Sequence, residues 1–233
     1  MFIQADALQL PLQSNTVSMV ITSPPYGVGM NYEQGDVNPR YYWGFTERWL
    51  RETYRVLRPG GYAAINIPLS SRAFGTAFYP KFYWLTRVAG FEDCDFSVVW
   101  VKRFEDSGKL VQHQLQKPKQ NGRLRIVYSN EMIVGTRKPG PYRVVGVDLT
   151  GDEMRQWGPS VWTLSPAERN GHPAPFPKAI PYRLIKILSN PGDRVLDPFS
   201  GSGTSAAAAA ALGRVPIGID ISWNYLKQRY GRR

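Results

Sequence analysis

Cysteine and histidine are the scarcest chemistry-bearing residues in this chain of 233: one cysteine, Cys94, and two histidines, His113 and His172. A single thiol excludes an internal disulfide and fits a reducing compartment. Three such side chains, scattered along the sequence, are too few for a zinc framework, so no metal is expected. Long apolar runs are also missing. None approaches the roughly 20 residues that span a bilayer as a helix, so no membrane association is expected. Met1 to Leu12 lacks the basic-then-apolar pattern of a secretory leader, and the expected location is the cytoplasm. Acids are outnumbered: 18 Asp and Glu face 29 Lys and Arg, a formal net charge of +11. Such an excess points to a polyanionic partner. There is no internal repeat and no coiled-coil heptad.

What is present alternates. Val17 to Thr22 is a short β-prone run that stops at Pro24-Pro25 and reads as a buried strand. Gly27 to Pro39 reads as a loop. Thr46 to Leu57 fits an amphipathic helix with Trp49, Leu50, Tyr54 and Leu57 near one face, stopped by Arg58-Pro59-Gly60-Gly61. Tyr62 to Ile67 predicts a strand, Phe78 to Ala89 a helix, and Asp95 to Val101 and Glu131 to Thr136 two more strands. A helix is expected from about Lys178 to Leu188. Val195 to Asp197 then leads into a glycine turn, an alanine-rich helix from Ser205 to Leu212, and a last strand, Pro216 to Asp220. Strands alternating with helices predict an α/β fold: a mostly parallel central sheet covered by helices on both faces. One domain is expected, built from residues 1–138 and 171–233.

Two stretches break the alternation. Residues 103–125 are polar and basic, with four glutamines, and 139–170 mixes aromatics, glycines and prolines. From Lys102 to Arg143 there are ten Lys and Arg against three Asp and Glu, so most of the excess charge lies here. A solvated loop would explain this equally well in isolation. With a nucleic-acid partner, clustered cations gain by releasing counterions from phosphates.

Two motifs carry chemistry. Asp197-Pro198-Phe199-Ser200-Gly201-Ser202-Gly203-Thr204 lies between a strand and a helix. Gly201 and Gly203 permit positive φ and close backbone approach, and the turn delivers a ligand to a helix N-terminus. Asp220, ending the next strand, is placed to accept from ribose hydroxyls. The spacing departs from the dinucleotide Gly-x-Gly-x-x-Gly pattern, which argues against NAD. The other motif, Thr22-Ser23-Pro24-Pro25-Tyr26, follows an apolar strand. A bare polyproline-like loop is the plain alternative for it.

In this order the two motifs resemble the beta class of S-adenosylmethionine-dependent DNA amino-methyltransferases, in which a circular permutation places the amine-binding motif before the cofactor-binding one. Arg55-Val-Leu-Arg-Pro-Gly-Gly61 with Tyr62 to Ile67, Val99-Trp-Val-Lys102 and Asn130 to Arg137 are similar to further segments of that family, so the resemblance covers most of the chain. It implies a Rossmann-like methyltransferase fold that binds S-adenosylmethionine and releases S-adenosylhomocysteine. By resemblance, Asp197 lies near the methionine amino group, Phe199 near the adenine or methionine arm, and Thr204 near the carboxylate, with Pro198, Ser202 and Ile221 alongside. Asp6, in Ala5-Asp6-Ala7-Leu8, matches a short acidic motif that contacts the adenine amine, although a surface Asp in a turn explains it nearly as well. Phe176 and Pro177, in His172-Pro-Ala-Pro-Phe-Pro177, match a string that packs over the methionine end.

The chemistry of the Ser-Pro-Pro-Tyr motif follows from its target. An exocyclic amine on a pyrimidine or purine is a poor nucleophile because its lone pair is delocalised into the ring. Acceptors that hold its hydrogens turn the lone pair outward, and the Ser23 hydroxyl and Pro24 carbonyl are suited to this. Pro24 and Pro25 stiffen the turn, and the Tyr26 ring offers a stacking face to a base flipped out of the duplex. Within the resembled family, Ser-Pro-Pro-Tyr leans to cytosine N4. Adenine N6, an RNA base, or a DNA-binding module without activity are the alternatives. Carbon-5 chemistry needs an activated thiolate, and Cys94, flanked by carboxylates, does not fit. The resemblance places target recognition at about 139–170, with Tyr142, Arg143, Trp157 and Arg169 as candidates. The expected DNA contacts are Lys117, Lys119, Arg123, Arg125 and Arg143. The resemblance also implies a prokaryotic or phage source, a monomer or homodimer, and leaves open a cognate restriction endonuclease.

Overall fold

The computed structural model describes residues 1–26, 39–69, 78–93, 95–102, 119–120, 123–124, 130–165 and 177–222. In chain order the strands are β1 (Phe2–Gln4), β2 (Val17–Thr22), β3 (Leu57–Pro68), β4 (Phe96–Lys102), β5 (Lys119–Gln120), β6 (Arg123–Leu124), β7 (Asn130–Arg137), β8 (Val161–Leu164), β9 (Arg194–Asp197) and β10 (Val215–Asp220). The α-helices are α1 (Pro39–Val56), α2 (Phe78–Val88), α3 (Gly151–Trp157), α4 (Ala179–Leu188) and α5 (Thr204–Ala211).

Eight strands form one sheet in the order β1-β10-β9-β2-β3-β7-β4-β8. All neighbours run parallel except β7, which is antiparallel to both β3 and β4. The expected α/β sheet is therefore present. Strand β2 sits between β9 and β3, and all six of its residues are buried, as a continuous apolar run in a parallel sheet requires. Its residues alternate between two cores: Val20 packs with Trp49, Leu50 and Phe82 on one face, and Met19 and Ile21 pack with Ile180, Leu184 and Ala209 on the other. This period of two is what covers the sheet with helices on both sides.

From β2 the chain leaves by α1 to β3 on one side, while β9 continues by α5 to β10 on the other. The direction of the connections switches between β9 and β2, and the carboxyl ends of strands at such a switch are where sheets of this kind bind ligands.

Several boundaries differ from expectation. Helix α1 begins at Pro39 rather than Thr46, which adds Tyr42 to the core beside Trp43 and Phe78. Proline is tolerated in a first turn, where its missing N–H has no partner to lose. Arg58 to Gly61 ends the helix and then forms a bulge inside β3: the register jumps from Val17↔Leu57 to Met19↔Tyr62. Gly60 has φ 74°, and a Cβ there would lie 2.3 Å from the Pro141 carbonyl oxygen.

The described part of 139–170 packs on the main sheet. Strand β8 joins the main sheet beside β4. Trp157 and Trp162 enter the second core. Asp148 pairs with Arg214, and Glu153 with Lys186. A four-residue edge strand with one deeply buried side chain leaves too little periodicity to read.

Candidate functional site

The two motifs meet at the carboxyl edge of the sheet. β2 and β9 pair through Met19↔Val195 and Val20↔Leu196, so both motifs emerge side by side. Thr22 Oγ1, wholly buried, donates to Asp197 Oδ1 at 2.7 Å and ties one turn to the other. The Phe199 amide donates to the same oxygen at 3.1 Å. Gly201 and Gly203 take φ of 47° and 78°, as the turn demands, and Gly203 caps α5. The Gly201 amide donates to Asp220 Oδ2 at 2.8 Å, which closes the turn onto the end of β10. The Phe199 ring packs edge-on against Trp49 of α1, centroids 5.4 Å apart. Pro198 is buried, Ser202 and Thr204 are partly exposed, and Ile221 is exposed.

Asp197 is 4% exposed, and burial pushes its carboxyl up to about 6; the Ser205 and Thr22 hydroxyls and the Phe199 amide oppose this, and the nearby Asp220 adds to it. Among the described residues neither aspartate forms an ion pair. Both carboxylates accept hydrogen bonds at the turn, Asp197 from Thr22 and Phe199 and Asp220 from the Gly201 and Ser222 amides. Asp6 stands just past β1, whose Gln4 pairs with Asp220. Its side chain is exposed, and Oδ1 accepts from the Leu8 amide, so it also shapes a turn. Pro177 is buried one residue before the Lys178 cap of α4.

On the Ser-Pro-Pro-Tyr side, Ser23 Oγ lies 2.8 Å from the Tyr26 hydroxyl. That hydroxyl donates to Glu131 Oε2 at 3.0 Å and accepts from Asn66 Nδ2 at 2.7 Å. Asn66 Nδ2 also donates to Glu131 Oε2, and Lys102 Nζ donates to Oε1, each at 2.5 Å. The Pro25 carbonyl accepts from the Tyr42 hydroxyl at 3.0 Å.

The sequence motifs include Thr22 without giving it a role, and they do not point to Asn66, Glu131, Lys102 or Tyr42 as site residues. One signal is present for Asn66, a polar residue embedded in the apolar run Ala63 to Ile67, where a polar group is retained only with a partner; Glu131, at the start of its strand, carries no such signal.

Other expected residues lie elsewhere. Arg143 is paired: both Asp193 oxygens accept from its Nη1, at 2.9 and 2.7 Å. Asp193 immediately precedes β9, at the opposite, amino end of the strands, so Arg143 neutralises a buried acid there and is not brought to the site. Trp157 is 9% exposed and belongs to the core, and Tyr142 stacks on Arg137. Lys119 and Arg123 fall on the small β5–β6 ribbon. Phe176, Lys117, Arg125, Arg169, His172 and Cys94 lie outside the described residues, as do residues 27–38 of the expected loop.

A mostly parallel sheet with a glycine turn and a proline-stiffened turn at one switch point is a Rossmann-like methyltransferase fold. A family profile described as DNA methylase, of N6/N4 type, matches residues 17–230. The chain belongs to this family, the beta-class S-adenosylmethionine-dependent DNA amino-methyltransferases. It is 30% identical to the type II methyltransferase M.HpaI of Haemophilus parainfluenzae over 93% of this chain and 68% of that one. It is 27% identical to the DNA adenine methyltransferase YhdJ of Escherichia coli over 96% of this chain and 77% of the relative. The structure of TTHA0409 from Thermus thermophilus, a candidate DNA modification methylase complexed with S-adenosyl-L-methionine, superposes with a TM-score of 0.74 at 26% identity, covering 99% of this chain and 91% of that one.

Proposed function

We propose that this chain methylates the N4 amine of cytosine in DNA, on a base flipped out of the duplex. One observation carries the reading: the Thr22–Asp197 hydrogen bond, which couples the amine-binding turn to the cofactor turn at the switch point of the sheet. When bound, S-adenosylmethionine supplies an electrophilic methyl group on sulfonium. Asp197 and Asp220 answer its ammonium and ribose, with Phe199, Pro198, Thr204, Ser202, Asp6, Ile221, Pro177 and Phe176 around them. Ser23 and the Pro24 carbonyl hold the amine hydrogens, which turns the nitrogen lone pair toward the methyl carbon. Pro25 keeps that turn rigid, and the Tyr26 ring stacks on the base. Lys117, Lys119, Arg123 and Arg125 are the proposed phosphate contacts. The serine at the head of the motif, an uncharged acceptor, supports cytosine. The similarity to the adenine enzyme YhdJ supports N6 as the second reading. The type II relatives make a cognate restriction endonuclease the partner to seek.

The deciding experiment gives the protein heavy-methyl S-adenosylmethionine and unmethylated DNA, then digests the DNA to nucleosides for mass spectrometry. Label in N4-methylcytosine supports the proposal, and label in N6-methyladenine moves it to the second reading. Two substitutions should separate the half-sites. Ser23→Ala should lower the methyl-transfer rate on the order of 10- to 100-fold with little change in cofactor affinity. Asp220→Ala should weaken cofactor binding first. Equal effects of both on binding, measured by calorimetry, would contradict this division.

A further inference from the structure

Glu131 belongs to neither motif, yet it stands at the end of a hydrogen-bond chain that begins at Ser23. Strand pairing puts it there. Glu131 lies opposite Pro68 on β3 and Trp100 on β4. Asn66 and Lys102 are each two residues along those strands, so the three polar side chains form a diagonal row on one face of the sheet. The row ends under the Tyr26 hydroxyl. The side chains of Glu131 and Lys102 are 13% and 25% exposed.

Counting protons gives this chain a direction. An ionised carboxylate only accepts. Lys102 and Asn66 donate to Glu131, so the Tyr26 hydroxyl, 3.0 Å from Oε2, gives its one proton to Glu131 as well. The phenol oxygen is then left to accept, from Asn66 at 2.7 Å and from Ser23 at 2.8 Å. The Ser23 proton is therefore committed to Tyr26, and Ser23 meets an incoming amine with lone pairs only. If the chain ran the other way, Tyr26 would donate to Ser23. The serine proton would then be free to face the N–H groups of the target, and the alignment would be lost.

We propose that Glu131 is a positioning residue for methyl transfer: through the Tyr26 hydroxyl it sets Ser23 as an acceptor toward the amine. The proposal rests on the amine-methyltransferase reading. It gives the Tyr26 hydroxyl a task separate from the stacking of its ring.

The charge-removing isostere is the sharpest test. In Glu131→Gln only one oxygen is left, and Lys102 claims it. The amide then turns its N–H groups toward Tyr26, which reverses the chain. Tyr26→Phe keeps the ring and leaves the Lys102–Glu131 pair in place, so its result does not hinge on loss of that pair. Single-turnover rates, read on whichever amine the wild type labels, should fall on the order of 10- to 100-fold in each variant, with cofactor affinity retained. The double variant should be no slower than the slower single, because both cut one chain. Wild-type rates in Tyr26→Phe overturn the proposal, as do losses that multiply in the double variant. A second readout needs no turnover. NMR of protein carrying carbon-13 tyrosine should show a deshielded, slowly exchanging Tyr26 hydroxyl proton that Glu131→Gln abolishes. If the wild type labels neither amine, the functional reading fails and this spectrum alone decides the polarity: a Tyr26 proton indifferent to Glu131→Gln overturns it.

Discussion

Asp197→Asn is expected to stabilise the ligand-free protein above pH 6 and to abolish cofactor binding. The carboxyl is buried and its native pKa stands near 6, against an ordinary 3.8. A group with a raised native value holds its proton more tightly in the folded state. Between about pH 4 and 6 the native protein therefore carries more protons than the unfolded chain, and stability falls as pH rises. Above 6 the full penalty stands, on the order of 3 kcal/mol for a carboxyl raised this far. Asparagine keeps an Oδ1 that accepts from Thr22 and Phe199, both of which donate to that one atom in the wild type. It carries no charge to desolvate and none to repel Asp220. Glu52 and Asp148, whose carboxyls Arg55 and Arg214 hold below their usual range, act in the opposite sense, losing their contribution as pH falls. The diagnostic is therefore the difference between variant and wild type in chemical denaturation across pH. That difference should be near zero at about pH 4 and grow to its plateau above 6; a flat difference would contradict the argument. On the proposed function, a cationic ligand would offset the same penalty, so loss of binding in Asp197→Asn together with the gain in stability is the expected pair of results.

Thr22→Val is expected to damage both halves of the site. The hydroxyl is wholly buried, and its loss leaves Asp197 with one donor fewer, at about 1–3 kcal/mol. That bond favours the ionised carboxyl, so the variant's Asp197 should keep its proton to a higher pH. If Asp197 binds the cofactor as the anion, as proposed, cofactor binding should weaken below about pH 6 in the wild type and already at a higher pH in the variant. Calorimetric affinities across pH check this: a downward or absent shift of the midpoint would show that Thr22 does not act through Asp197.

Much of this was legible in sequence because it is local. The turn from Asp197 to Thr204 needs two glycines at positive φ, a strand before it and a helix after it, and all of that is contiguous. The Pro-Pro pair ending an all-apolar strand is equally self-contained. Contiguous signals also located most strands and helices to within a few residues. Residues 139–165 escaped because β8 is held by its neighbours: it pairs with β4 and buries Trp162 against α4, and neither contact shows in its own four residues.

The amino-acid sequence by itself determined the family and the order of the two motifs, since these are runs of adjacent residues whose backbone chemistry is set on the spot. Only the tertiary structure decided that Thr22 supports Asp197, that Arg143 belongs at the far end of the sheet, and that Lys102, Glu131 and Asn66 converge beneath Tyr26. Those relations depend on strand order and register, and a slip of one residue turns every side chain of a strand to the other face. Register is set by pairing between strands far apart in the chain, so no local window of sequence contains it.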